Sequence, residues 1–133
     1  MRRLVPILLL LALAGPAHAR GIRSPDGAHR AEARRGAVVV DGRRVWRGQR
    51  VISPLVWSDQ GGALAFTGRD RAGRTTLVVV LFLDGADPAA MTWAVPRNAE
   101  PALAVTWLGA TRLGAGPSEL EPRLVASFSA RLQ

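Results

Sequence analysis

From Gly21 onward, apolar positions fall in short runs separated by Gly, Pro, Asp and Ser, the pattern of strands joined by turns. Ser24-Pro25-Asp26-Gly27 is a turn signal, because Pro and Gly preset the dihedrals that a chain reversal needs. Ala37-Val38-Val39-Val40 and Arg43-Arg44-Val45-Trp46-Arg47 flank Asp41-Gly42, which predicts a two-residue hairpin loop, since Gly accepts positive φ. Val51 to Trp57 predicts a strand interrupted at Pro54, which has no ladder donor. After a turn at Ser58 to Gly62, Ala63 to Thr67 reads as strand, and Arg69 to Arg74 turns around Gly73. Further strands are expected over Thr92 to Val95, Ala102 to Leu108, Thr111 to Leu113 and Arg123 to Ala130, with Gly114-Ala115-Gly116-Pro117 as a separator. No ten-residue stretch of helical period follows the first twenty residues.

The most informative run is Thr75-Thr76-Leu77-Val78-Val79-Val80-Leu81-Phe82-Leu83, closed by Asp84-Gly85. Its β-branched content favours strand. Leu77, Val79, Leu81 and Leu83 then face one way, and Val78, Val80 and Phe82 the other. A strand with one wet face would alternate apolar and polar residues, so this one is expected to be covered on both sides.

The first residues follow a different pattern. Met1-Arg2-Arg3 precedes an apolar run from Leu4 to Ala14, a break at Gly15-Pro16 and the small-x-small signal Ala17-His18-Ala19. This is the arrangement of a secretory leader, too short for the ~20 apolar residues of a membrane-spanning helix. Cleavage is expected after Ala19, with the product periplasmic or secreted. The expected organisation is a leader over 1–19, a flexible polar segment over 20–35, and one all-β domain over 36–133. The full chain of 133 residues contains no Cys, so a disulfide framework, a Cys zinc site and a thiol nucleophile are excluded. At 48% hydrophobic residues it is too apolar for a disordered tail.

Internal similarity suggests a family. Pro54-Leu55-Val56-Trp57-Ser58-Asp59-Gln60-Gly61-Gly62-Ala63-Leu64-Ala65-Phe66-Thr67 resembles the blade motif of TolB-type, WD40-like β-propellers, in which a Trp-Ser-Pro-Asp-Gly turn leads into an Ile/Leu-Ala-Phe strand. Ser24-Pro25-Asp26-Gly27 matches the turn, and Trp107-Leu108-Gly109-Ala110-Thr111-Arg112-Leu113 is a degraded third copy. The resemblance covers about half of the chain beyond the leader, with uneven spacing between copies. It implies binding of a protein or ligand rather than catalysis. A blade takes roughly 40–45 residues and closure takes about four blades, so this chain is too short to close a ring alone. The expected fold is therefore a small antiparallel sandwich or an open stack of two to three blade-like sheets. A protomer of an assembled propeller is the alternative.

Candidate chemistry is sparse. Beyond the leader the chain has one His, and Ser24, Asp26 and His29 lie close in sequence. A relay needs mutual hydrogen bonds, so these are read as turn residues, with a small envelope hydrolase using His29 as an alternative function. Glu119 and Glu121 beside Pro117 and Pro122 read as a solvated loop, and Asp84 to Asp87 as a turn with too few acids for calcium. No catalytic residue, metal or cofactor is assigned. The four Trp are expected in core packing, and the run Thr75 to Leu83 argues against an outer-membrane barrel.

Charge adds one binding candidate. The formal net charge is +8, and every basic side chain other than His is Arg. Arg34, Arg35, Arg43, Arg44, Arg47 and Arg50 are opposed only by Asp41, and Arg69, Arg71 and Arg74 form a second group. Guanidinium groups grip phosphate or carboxylate in bidentate fashion. Arg43, Arg44, Arg47, Arg50, Arg69 and Arg71, with Trp46, are therefore the candidate binding residues. Expected partners are an envelope protein or an anionic envelope polymer, not nucleic acid. No span is expected beyond the leader, and oligomers are compatible with the sequence. The function expected is that of an exported, non-enzymatic binding or scaffolding module.

Overall fold

The computed structural model describes residues 21–83 and 85–129. The leader pattern over 1–19, Asp84 of the expected turn and residues 130–133 lie outside the described residues. The described residues are all-β and form three antiparallel sheets, none of them closed. The first sheet runs in the order β1 (Ile22–Arg23), β2 (Arg30–Arg34), β3 (Ala37–Val40) and β4 (Arg43–Arg47). In the middle sheet β5 (Arg50–Val51) and β6 (Val56–Trp57) both pair with β7 (Ala63–Arg69), followed by β8 (Thr75–Leu81) and β9 (Ala89–Ala94). A 3₁₀ turn at Arg97–Ala99 leads to the third sheet, β10 (Ala104–Trp107), β11 (Arg112–Gly116) and β12 (Leu124–Ser127).

Each sheet is an up-and-down meander, and the three stack face to face. The expected two-sided burial of β8 holds, although the strand ends at Leu81 and Leu83 joins neither core cluster. Leu77 and Val79 join Ala63, Ala65, Val105, Leu113, Ala115 and Ala126 in one core cluster between the middle and third sheets. Val78 and Val80 join Ala31, Val38, Val40, Leu64 and Phe66 in a second cluster between the middle and first sheets. Leu77, Val78, Val79 and Val80 are fully buried. The middle sheet thus belongs to both cores, and full removal of these side chains from water stabilises the stack by roughly 1.5–3 kcal/mol each.

Local geometry follows the turn chemistry. Asp41 (φ 52°) and Gly42 (φ 80°) both occupy left-handed space, as the two-residue loop between β3 and β4 requires. Pro54 breaks the β5–β6 edge: Val51 pairs with Gly68 but Val56 with Ala65, so extra residues loop out between them. The Ser53 hydroxyl fills the gap by accepting the Thr67 N–H at 2.8 Å.

Two expectations are corrected. Within the segment expected to be flexible over 20–35, the described residues 21–35 supply β1 and β2, and Ser24 and Ala31 are buried. Its polar residues are the outward half of β2, whose inward half is only Ala31 and Ala33, a weak apolar signal. Gly114, Ala115 and Gly116 are not a separator but lie within β11. A Cβ at Gly114 would come within 2.5 Å of Pro122, and one at Gly116 would run into the Glu121 carbonyl. Glycine is there because the returning loop lies directly on the sheet.

Candidate functional site

The structure divides the seven candidate binding residues into three groups. Along β4, Trp46 pairs with Val38 and belongs to the inner cluster, whereas Arg44 pairs with Val39 and Arg47 with Ala37, both on the outer face of the first sheet. Val45 is the extra residue at the irregular register between them, which puts Arg44 and Arg47 on the same side despite their spacing. Gly48 then carries the chain from the first sheet to the middle one. Trp46 lies against Gly48 and Gly68, and no side chain could replace those hydrogens. The crossover delivers Arg47 to the turn after β7, which holds Arg71. That turn is fastened by the Gln49 side chain donating to the Arg71 carbonyl at 3.3 Å.

Arg47 therefore stands between two like charges, Arg44 along its own strand and Arg71 on the turn. The Arg47 guanidinium is pushed below the usual arginine range, first by Arg44 and next by Arg71. All three are exposed, and among the described residues none has an ion-pair partner. The nearby acids are engaged elsewhere. Asp41, the one acid in the hairpin, faces His29 at 2.8 Å. Asp70 holds its own turn, accepting the Arg74 N–H at 2.9 Å and pairing with the Arg74 side chain at 3.4 Å. The Asp70 carboxyl is accordingly held below its usual range, chiefly by that backbone N–H.

The remaining candidates lie apart. Arg43 pairs with Val40 on the inward side of β4 and reaches Asp87 at 3.1 Å, tying the first sheet to the β8–β9 loop. Arg50 and Arg69 oppose each other across β5 and β7, on the face turned towards the third sheet. Arg69 Nε is buried without a hydrogen-bond partner. Trp46 meets Phe66 edge-on at 5.3 Å, a core contact rather than a stacking platform for a ligand.

The residues weighed for catalysis are used by the fold. The Ser24 hydroxyl donates to Asp26 Oδ1 at 2.5 Å and accepts the His29 N–H at 3.0 Å, so its proton is not directed at the imidazole. The Ser24 hydrogen bond holds the Asp26 carboxyl below its usual range. The His29 ring stacks against Phe82 (4.8 Å) and Trp57 (5.9 Å) and lines a cavity of about 360 Å³ with Asp41, Arg43 and Phe82. The residues lining it include no Ser, Thr or Cys that His29 could activate. Among the described residues no three His, Cys, Asp or Glu side chains converge on a metal position. Glu119 is exposed, Glu121 pairs with Arg123 at 3.4 Å, and Asp87 pairs with Arg43.

No family model, curated protein or solved structure matches this chain.

Sequence reasoning missed a larger concavity, about 440 Å³, between the middle and third sheets. It brings the Ser58–Gly62 turn, the end of β8, the Gly109–Thr111 turn, Trp107 and Phe128 together. These pieces are far apart along the chain, and the motif resemblance between the Ser58–Gly62 and Gly109–Thr111 turns does not say that they meet. Only the stacking of the sheets assembles them.

Proposed function

We propose that this chain is an exported, non-enzymatic binding module that holds an anionic polymer of the cell envelope along the edge formed by Arg44, Arg47 and Arg71. The observation that carries this reading is the exposed Arg47 guanidinium, repelled by both Arg44 and Arg71, with none of the three ion-paired among the described residues. A polyanion relieves that repulsion and offers oxygens for bidentate contact. The leader pattern of the first nineteen residues supports export, and an envelope polymer is then the polyanion within reach. A hydrolytic reading has less support, because the Ser24 hydroxyl serves Asp26 and His29 has no nucleophile beside it in its cavity.

The test is binding of inorganic polyphosphate at low and high salt, with N-terminal sequencing of the protein from the envelope fraction. Wild type is expected to bind, weaken as salt screens exposed charges over ~10 Å at 0.1 M, and begin at Arg20. The Arg44→Ala/Arg47→Ala/Arg71→Ala variant is expected to lose about tenfold or more in affinity, or roughly 1.4 kcal/mol. Arg43→Ala is expected to bind as wild type does, because Arg43 is already neutralised by Asp87. Equal affinity of the triple variant and wild type overturns the reading.

A second reading, a protomer of an assembled propeller, is favoured by a repeat in the hydrogen bonds. Gly27 N–H donates to the Ser24 carbonyl and Gly61 N–H to the Ser58 carbonyl, each at 2.9 Å, with φ of 75° and 76° at the two glycines. Trp57 Nε1 donates to the Ile22 carbonyl at 2.9 Å, and Trp107 Nε1 to the Val56 carbonyl at 3.1 Å. Each Trp thus ties its sheet to the first edge of the sheet before it. Light scattering separates the readings: a monomeric mass defeats the assembled one.

A further inference from the structure

The two interfaces of the stack are built alike but filled differently. At the first, the Ser24 N–H donates to the His29 carbonyl and the His29 N–H donates back to the Ser24 hydroxyl, and at the second Ser58 and Ala63 do the same. His29 and Ala63 are thus equivalent positions, both pointing towards the next sheet. Phe82, just after β8, donates its N–H to the carbonyl just before β7 (Gly62), and Phe128, just after β12, donates its N–H to the carbonyl just before β11 (Thr111), which makes the two Phe equivalent. At the first interface the His29 ring packs on Trp57 and Phe82, themselves 5.5 Å apart. At the second, Trp107 and Phe128 occupy the corresponding places at 6.1 Å, edge to face rather than tilted, and the position of the imidazole carries only the Ala63 methyl. The 440 Å³ cavity lies there.

We propose that this cavity is a binding site for a planar aromatic cation of one or two rings, which takes up against Trp107 and Phe128 the place that His29 takes against Trp57 and Phe82. Its volume falls in the range of small-ligand sites, ~300–1,000 Å³. Ala63, Leu81, Phe82, Trp107 and Phe128 supply apolar and aromatic surface. Its charged lining residue is Asp59, which has no ion-pair partner among the described residues. In a chain of net charge +8, a cavity lined by a carboxylate and no Arg selects for positive charge. Aromatic faces and a carboxylate act in the same direction on a cation.

Benzamidinium is a suitable probe, followed by NMR through the indole N–H signals of the four Trp. It is expected to shift the Trp107 signal saturably, with Trp46 unmoved. Asp59→Asn, at an exposed turn where folding is not at stake, is expected to weaken binding about tenfold, as loss of a charge-assisted contact does. Benzyl alcohol, neutral and of similar shape, is expected to bind about tenfold more weakly. Ala63→His, which places an imidazole where the first interface has one, is expected to abolish binding while the Trp57 signal stays in place. The proposal fails if benzamidinium gives no saturable shift at Trp107, or if Asp59→Asn binds it as tightly as wild type.

Discussion

At the scale of single residues, Asp41 shows how one side chain settles several questions. Its backbone takes the left-handed conformation of the hairpin loop, which short polar residues tolerate. Its carboxylate accepts the Arg30 N–H at 2.9 Å and faces His29 Nδ1 at 2.8 Å. The His29 hydrogen bond, ahead of the Arg30 one, holds the carboxyl below its ordinary 3.8. A carboxylate held lower in the folded protein contributes stability that is complete above the unfolded value and is lost as pH falls through the folded one. Urea denaturation between about pH 5 and pH 2 is therefore expected to show a smaller acid-induced loss for Asp41→Asn than for wild type. Equal losses would mean that the pair adds nothing. The same contact bears on the proposed binding edge, because an Asp41 turned to His29 does not pair with Arg44 or Arg47.

At the scale of elements, legibility tracked turn chemistry. Asp41-Gly42 named its hairpin because two residues in left-handed space suffice to define that loop. Pro54 announced the broken edge strand for an equally local reason. The start of β11 was expected, but its second part, Gly114 to Gly116, was not legible, since these glycines serve a contact with Glu121 and Pro122 rather than a turn. Gly116→Ala is expected to cost about 1–3 kcal/mol, the usual penalty of forcing atoms into a packed site. Thermal or urea unfolding measures this, and a neutral effect would show that the loop over β11 gives way. β2 was missed because an alternation of Arg or Glu with Ala looks polar throughout, and Ala31 counts as core only once the middle sheet covers it.

At the scale of the whole molecule, β8 makes three sheets one folding unit. Phe66 is buried towards the first sheet and Leu77 towards the third, on neighbouring strands of the middle one. Leu77→Ala is expected to cost about 2–5 kcal/mol and Phe66→Ala about 3–5 kcal/mol. Because both cores share the middle sheet, each variant is expected to unfold in a single transition, with far-UV circular dichroism and Trp fluorescence coinciding. Two separated transitions would show that the outer sheets melt independently.

The amino-acid sequence by itself determined the strands whose turns are local, the double-sided burial of Thr75 to Leu81, and the excess of Arg over acid. These follow from dihedral preferences, side-chain alternation and charge, which neighbouring residues specify without help. Tertiary structure alone decided which arginines share a surface. An irregular register at Val45 and a crossover at Gly48 bring Arg44 and Arg47 to Arg71, while Arg43 is spent on Asp87. It also decided that His29 fills one interface and that Ala63 leaves a cavity at the other. Both outcomes depend on how sheets stack, and stacking joins residues whose separation along the chain carries no local signal.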